Sequence, residues 1–255
     1  MLFRKVLFTA AFVAISASAE ARVFSFASEY LGAYFGGSGS LSSLGQDAFA
    51  NSSGGATVSG ENDILLTAEL GFLMRFQQAM TLRISAEVYS PWNQDDITGK
   101  NSSGQEVFAL DSSVFVFNPR AILEVTITPM AQSRLYWFGG VGLATVTLEN
   151  TYTMTTQGTS DYGLSTFTEK GSQSGLSYEL GVGYEYLFVD TTTMSIDLGY
   201  RMLSVTGFEA DSDFTSFQGS VTEGTKLLNT DGSERSLSLG GIFAGVTFRF
   251  YFGEL

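Results

Sequence analysis

The sequence predicts an all-β protein, an eight-stranded antiparallel up-and-down barrel crossing a membrane, and three observations carry that prediction. Hydrophobic residues recur at every second position in eight segments, each long enough for a tilted membrane-crossing strand of roughly 9 to 11 residues. The connections between the segments alternate short and long. Charges within the segments fall on their less apolar faces. Composition agrees: 29 glycines, 3 prolines and 14% aromatic residues, with only 15% charged, describe a β-rich chain poor in charge. No stretch approaches the roughly 18 to 20 consecutive apolar residues of a spanning helix, so a span has to come from alternating strands.

The chain opens with Arg4 and Lys5, an apolar run over 6–15 and the small-residue site Ala17-Ser18-Ala19. That order reads as a secretory signal peptide, residues 1–19, leaving 20–255 as a single barrel domain. Losing Arg4 and Lys5 takes the net charge from −13 to −15, which gives no electrostatic case for a nucleic-acid partner. Without cysteine there is no disulfide or thiolate site, and no cofactor is expected. Without histidine the common general base of hydrolases is missing, so no enzymatic activity is expected.

The eight segments are 23–36, 64–76, 81–90, 113–128, 134–148, 176–189, 193–205 and 239–252. In the second, Ile64, Leu66, Ala68, Leu70, Phe72, Met74 and Phe76 oppose Thr67, Glu69, Gly71 and Arg75. The third sets Leu82, Ile84, Ala86 and Val88 against Arg83, Ser85 and Glu87. The fourth contains Pro119, which removes a ladder hydrogen bond and predicts a bulge or a break. The fifth, around Tyr136, Trp137 and Phe138, is apolar on both parities. In the sixth and seventh, Glu179, Glu185, Asp197 and Arg201 share the less apolar side with glycines, which are expected to relieve crowding there. Aromatics near segment ends, including Phe24, Tyr34, Phe76, Tyr89, Trp92, Trp137, Tyr186, Phe188 and Phe252, suit interfacial girdles. A lipid-facing Arg or Lys at mid-bilayer costs about 2 to 4 kcal/mol, so the charged side is the lumen.

The last segment reads Ile242, Ala244, Val246, Phe248, Phe250 and Phe252 on one side, with Gly245 and Arg249 on the other. A glycine followed by alternate hydrophobes near the carboxyl terminus, here Gly245, Phe248, Phe250 and Phe252, resembles the closing strand of the small OmpA/OmpX-type outer-membrane barrels. That resemblance covers nearly the whole mature length by architecture. It implies a monomer in the outer membrane of a Gram-negative bacterium, inserted by the barrel-assembly machinery, in contact with outer-membrane lipid and lipopolysaccharide.

Counting from the end with short turns places Arg75, Arg83 and Arg249 low, Glu29, Glu69, Glu87, Glu124, Glu185 and Asp197 in a middle band, Arg120 and Arg201 above it, and Glu179 higher still. An eight-stranded barrel has an interior just wide enough to be filled by side chains. The expectation is an ion-pair network filling the lumen, and a role as a structural or surface-interaction protein exercised through the acidic loops. The alternative is a narrow passive pore, porin-like, in which uncompensated carboxylates favour cations.

Overall fold

A strand with one apolar face is locked in register, because slipping by one residue turns every side chain to the wrong side. The chain satisfies eight such strands by closing them on one another. The computed structural model describes residues 24–26, 28–42, 57–59, 64–77, 79–91, 97–229 and 232–252. The segment 1–19, expected to be a signal peptide, Trp92 and the tail 253–255 lie outside the described residues. In order the elements are β1 (Leu31–Leu41), β2 (Thr57–Ser59), β3 (Ile64–Gln77), β4 (Met80–Pro91), β5 (Ile97–Lys100), β6 (Glu106–Pro129), β7 (Ser133–Met154) and helix α1 (Thr156–Tyr162). They continue with β8 (Phe167–Val189), β9 (Thr192–Thr206), β10 (Glu209–Ala210), β11 (Phe214–Ser216), β12 (Gly219–Val221), β13 (Ser236–Ser238) and β14 (Gly241–Tyr251).

Eight of these, β1, β3, β4, β6, β7, β8, β9 and β14, pair antiparallel in chain order. The ring closes where β1 meets β14, from Gly32 opposite Tyr251 to Ser40 opposite Phe243, so neither terminal strand keeps a free edge along that seam. Three tight connections, after β3, β6 and β8, share one end of the barrel. In the last of them Asp190 takes the left-handed conformation (φ 47°) that a short hairpin demands. We call this end the lower one.

Parity sorts the side chains as expected for an inverted barrel. Leu70, Phe72, Ile84, Leu180, Leu198 and Ile242 are exposed on the outside, while Arg83, Glu124, Glu185 and Arg249 are buried within. Two sets of expectations need correction. The first strand begins at Leu31 rather than 23, because the chain before it turns out of the ladder: the Ser28 N–H bonds back to the Ser25 carbonyl at 3.0 Å, and the last tie to β3 is the Arg75 N–H on the Tyr30 carbonyl at 2.7 Å. Phe24 and Phe26 instead tuck under the lumen against Tyr251, with ring centroids 5.5 and 6.2 Å away, and Glu29 is buried in this segment rather than on a strand. Tyr34 and Tyr89 likewise point inward, leaving Phe76, Trp137, Tyr186, Phe188 and Phe252 as the outward members of the expected girdles.

The second correction concerns length. β6, β7 and β8 run for 24, 22 and 23 residues, well past the predicted segments, so much of what reads as long loop is strand. At Pro119 the expected interruption takes the form of a break: the β6–β7 ladder lapses between the pairs Phe117–Thr145 and Arg120–Gly142 and resumes in the same register. On the other side Pro119 still faces Ala86.

Above the shorter strands, the extensions of β6–β8 enclose an apolar core that includes Phe108, Val116, Val146, Leu148, Tyr152, Val205 and Leu237. The last long connection folds over it: Phe208, Ala210 and Leu227 are buried in that core, and Phe217 packs its ring against Phe108, Tyr152 and Tyr162. Helix α1 starts at Thr155, whose Oγ1 accepts from the Gly158 N–H at 3.1 Å, and ends at Gly163 (φ 66°). Gly158 is required by closeness, since a Cβ there would lie 1.8 Å from the Val107 carbonyl oxygen.

Candidate functional site: the barrel interior and its cap

The inward positions of the lower half form two charged clusters separated by an apolar layer. Nearest the short turns, Glu124 on β6 forms ion pairs with Arg83 Nε at 3.1 Å, Arg134 Nη2 at 2.6 Å and Arg249 Nη2 at 2.8 Å. Glu185 on β8 receives Arg134 at 2.7 Å and Arg249 at 2.9 Å, and its other oxygen accepts from the Tyr251 and Thr193 hydroxyls. Asp197 on β9 completes the set, taking Arg83 Nη1 at 3.2 Å and the Tyr136 hydroxyl. Three guanidiniums thus meet three carboxylates. Arginine suits this work because its rigid fork of donors bridges several acceptors at once.

Above this cluster lie Ile122, Phe138 and Phe243, which pack with the Tyr136 ring. Above them Arg120 reaches Glu69 at 2.7 Å, Glu87 at 3.1 Å and Glu179 at 2.5 Å, and Arg201 reaches Glu87 at 2.7 Å and Glu179 at 3.6 Å. Glu69 and Glu87 stand directly opposite across β3 and β4, a like-charge pairing that is unfavourable alone. Arg120 bridges both, and the Tyr34 hydroxyl donates to Glu69 at 2.5 Å. The guanidinium of Arg201 lies 4.9 Å over the Tyr89 ring and 4.8 Å over Phe243.

Glycines make the room these side chains need. A Cβ at Gly183 would meet the Tyr136 ring and an Asp197 carboxylate oxygen, each at 2.3 Å. The depth order expected from counting is replaced by mixing: Arg83 and Arg249 share their level with Glu124, Glu185 and Asp197, and Arg120 and Arg201 share theirs with Glu69, Glu87 and Glu179. Arg75 is buried on the lowest part of β3. Strand stagger in a barrel shifts depth from one strand to the next, which counting along single strands cannot capture.

Sequence reasoning missed Arg134, a member of the lower cluster. It opens the segment that is apolar on both parities, so no face could be assigned there. Its signal was parity with Tyr136 and Phe138, both of which point inward. It also missed the buried pair of the cap. Arg235 donates to Glu169 on β8 at 3.1 and 3.4 Å and to the Asn229 side chain at 3.0 Å. Burial opposes its charge, yet the Glu169 carboxylate beside it more than compensates and raises its pKa above the usual arginine value. With Arg235 turned inward and Lys226 engaged by Glu234, the outer surface of the cap is left to acids such as Glu209, Asp211, Asp213 and Glu223.

On the closing strand, Phe35 packs across the seam on Phe250 and Phe248, with centroids 5.8 and 5.7 Å apart, and Phe252 is exposed on the outside. Gly245 sits between Ser38 of β1 and Asp197 of β9.

No family model and no curated protein matches the sequence. Among solved structures, similar chains include Ail, the attachment invasion locus protein of Yersinia pestis, at 12% identity and a TM-score of 0.43, covering 88% of this chain and 99% of that one. The outer membrane protein OprG of Pseudomonas aeruginosa shares 13% identity with a TM-score of 0.48, covering 89% and 98%. Neisserial surface protein A shares 13% identity with a TM-score of 0.39, covering 86% and 97%.

Proposed function

We propose that this chain is an outer-membrane barrel with a closed interior, whose role is structural or surface-interacting and is exercised by its acidic extracellular cap. The observation that carries this reading is that side chains occupy the interior along its height. Paired charges fill the lower half, an apolar core fills the upper half, and the last connection is latched over the top by Arg235 and Glu169. The outer belt of exposed Leu, Ile, Val and aromatic side chains is too extensive for a water-facing surface, and it places the barrel in lipid.

What remains to meet the exterior is the cap, with its excess of carboxylates. Divalent cations held between these acids and the phosphates of lipopolysaccharide are the contact this charge favours. The chain acts as a monomer, and Gly245, Phe248, Phe250 and Phe252 are what the assembly machinery reads during insertion. The lack of histidine speaks against hydrolase or transferase chemistry.

Planar-bilayer recording tests the closed interior. The purified barrel is expected to give no steady single-channel current. Steady conductance that changes in Glu124→Gln or Asp197→Asn would establish the narrow pore instead.

A further inference from the structure

The two charged clusters differ in balance. Below the apolar layer, three guanidiniums pair with three carboxylates; above it, two guanidiniums, Arg120 and Arg201, form the ion pairs of three carboxylates, Glu69, Glu87 and Glu179. The surplus negative charge coincides with a second feature. Glu179 is 8% exposed, and both of its ion pairs go to Oε2, while Oε1 has no hydrogen-bond partner. That oxygen lies beside Gly140, where an added Cβ would come within 3.0 Å of it and 2.8 Å of Ile122 Cγ1. A metal ion needs several oxygen ligands at about 2.0 to 2.6 Å, and the space over Gly140 does not accommodate them. An ionised oxygen left unpaired in such a place costs far more than a neutral carboxyl.

We propose that the upper cluster binds one proton, held on Oε1 of Glu179, so that the cluster carries no net charge at neutral pH. The groups facing it are Arg120 from β6, Arg201 from β9 and Glu87 from β4, with Glu69 of β3 joined through Arg120 and Tyr34 of β1 through Glu69, while Arg83 of β4, held by Glu124 and Asp197 in the lower cluster, acts on it from below. From β14 only the Phe243 ring approaches, over Arg201. Glu179 keeps its Oε2 contact with Arg120 in the protonated state.

Infrared spectroscopy of the folded barrel in lipid vesicles at neutral pH tests this, using protons alone as the ligand. The wild type is expected to show the carbonyl stretch of a buried protonated carboxyl, shifted in Glu179→Asp and lost in Glu179→Gln. Absence of that band from the wild type overturns the proposal, and so does its survival unchanged in Glu179→Gln. Urea unfolding across pH provides a second reading. A proton held by the folded state and released by the unfolded chain makes stability fall as pH rises, and Glu179→Gln is expected to flatten that slope. An unfolding midpoint that rises with sodium concentration at fixed pH and ionic strength would instead identify a bound cation and overturn the proposal. Should Glu179→Gln not fold, the wild-type band and its shift in Glu179→Asp decide the matter.

Discussion

The long strands β7 and β8 run through both the lower and the upper half of this barrel, and their outer face changes chemistry on the way, as does the inner face of β7. Low on β7 and β8 the outside is Trp137, Val141, Leu143, Leu176, Tyr178 and Leu180, and the inside carries Arg134, Glu179 and Glu185. Higher on the same strands the outside becomes Thr145, Thr147, Thr151, Lys170, Ser172 and Ser174, and on β7 the inside becomes Ala144, Val146 and Leu148. Cross-strand hydroxyl contacts mark the upper outer face, Thr145 with Ser174 at 3.3 Å and Thr151 with Thr168 at 3.1 Å.

Solvent explains the exchange. Where lipid surrounds the barrel, apolar side chains belong outside and charges survive only within, paired with one another. Where water surrounds it, the upper half organises itself as a soluble barrel does, with the hydrophobic effect acting inward. On β7 and β8 the outer face changes near Leu143 and Leu176, while on β6 the apolar outside continues through Phe117 and Phe115, opposite Thr145 and Thr147.

Substitutions that treat the halves differently put this contrast to the test. The largest expected effect is in the lower half: Glu124→Ala strands three arginines that share one carboxylate, at a cost of about 3 to 5 kcal/mol. A urea-unfolding midpoint unchanged from wild type in vesicles would show that these pairs do not hold the interior. In the upper half, Leu148→Ala removes buried apolar volume from the core, for about 3 kcal/mol. A loss no greater than at an exposed site would mean that the core above the lipid is loosely packed. The smallest effect belongs to the outer face of the upper half, where Lys170 pairs with Glu149 at 3.5 Å with both side chains nearly half exposed. Lys170→Ala is expected to change unfolding by less than about 1 kcal/mol and to have its effect erased by salt.

Particular residues show how far the sequence reports this design. Alternation in β3, β4, β9 and β14 exposed the lumen set directly, because each of these strands lies mostly at one level and keeps one polarity per face. β7 hid its pattern, since its inward face passes from Arg134 through Tyr136 and Phe138 to Val146 and Leu148 while its outward face passes from Trp137 to Thr147. A strand that crosses the boundary reads as apolar on both parities in its lower part. Above Leu148 it reads as hydroxyl-rich loop, which is why β6, β7 and β8 were expected to end early. Long-range pairs left still less trace. Arg235 and Glu169 are 66 positions apart in the chain, and only the folding of the cap onto β8 joins them.

The chain has no cysteine, so single cysteines can be placed along β7 without background. Labelling them with a membrane-impermeant maleimide, in barrels reconstituted in vesicles with the cap facing outward, tests the exchange of faces most directly. Cysteine at Val141 or Leu143 is expected to be protected by lipid, at Thr145, Thr147 or Thr151 to react, and at Ala144, Val146 or Leu148 to be protected by the core. Equal labelling of positions 146 and 147, or free labelling at 141, would contradict the account.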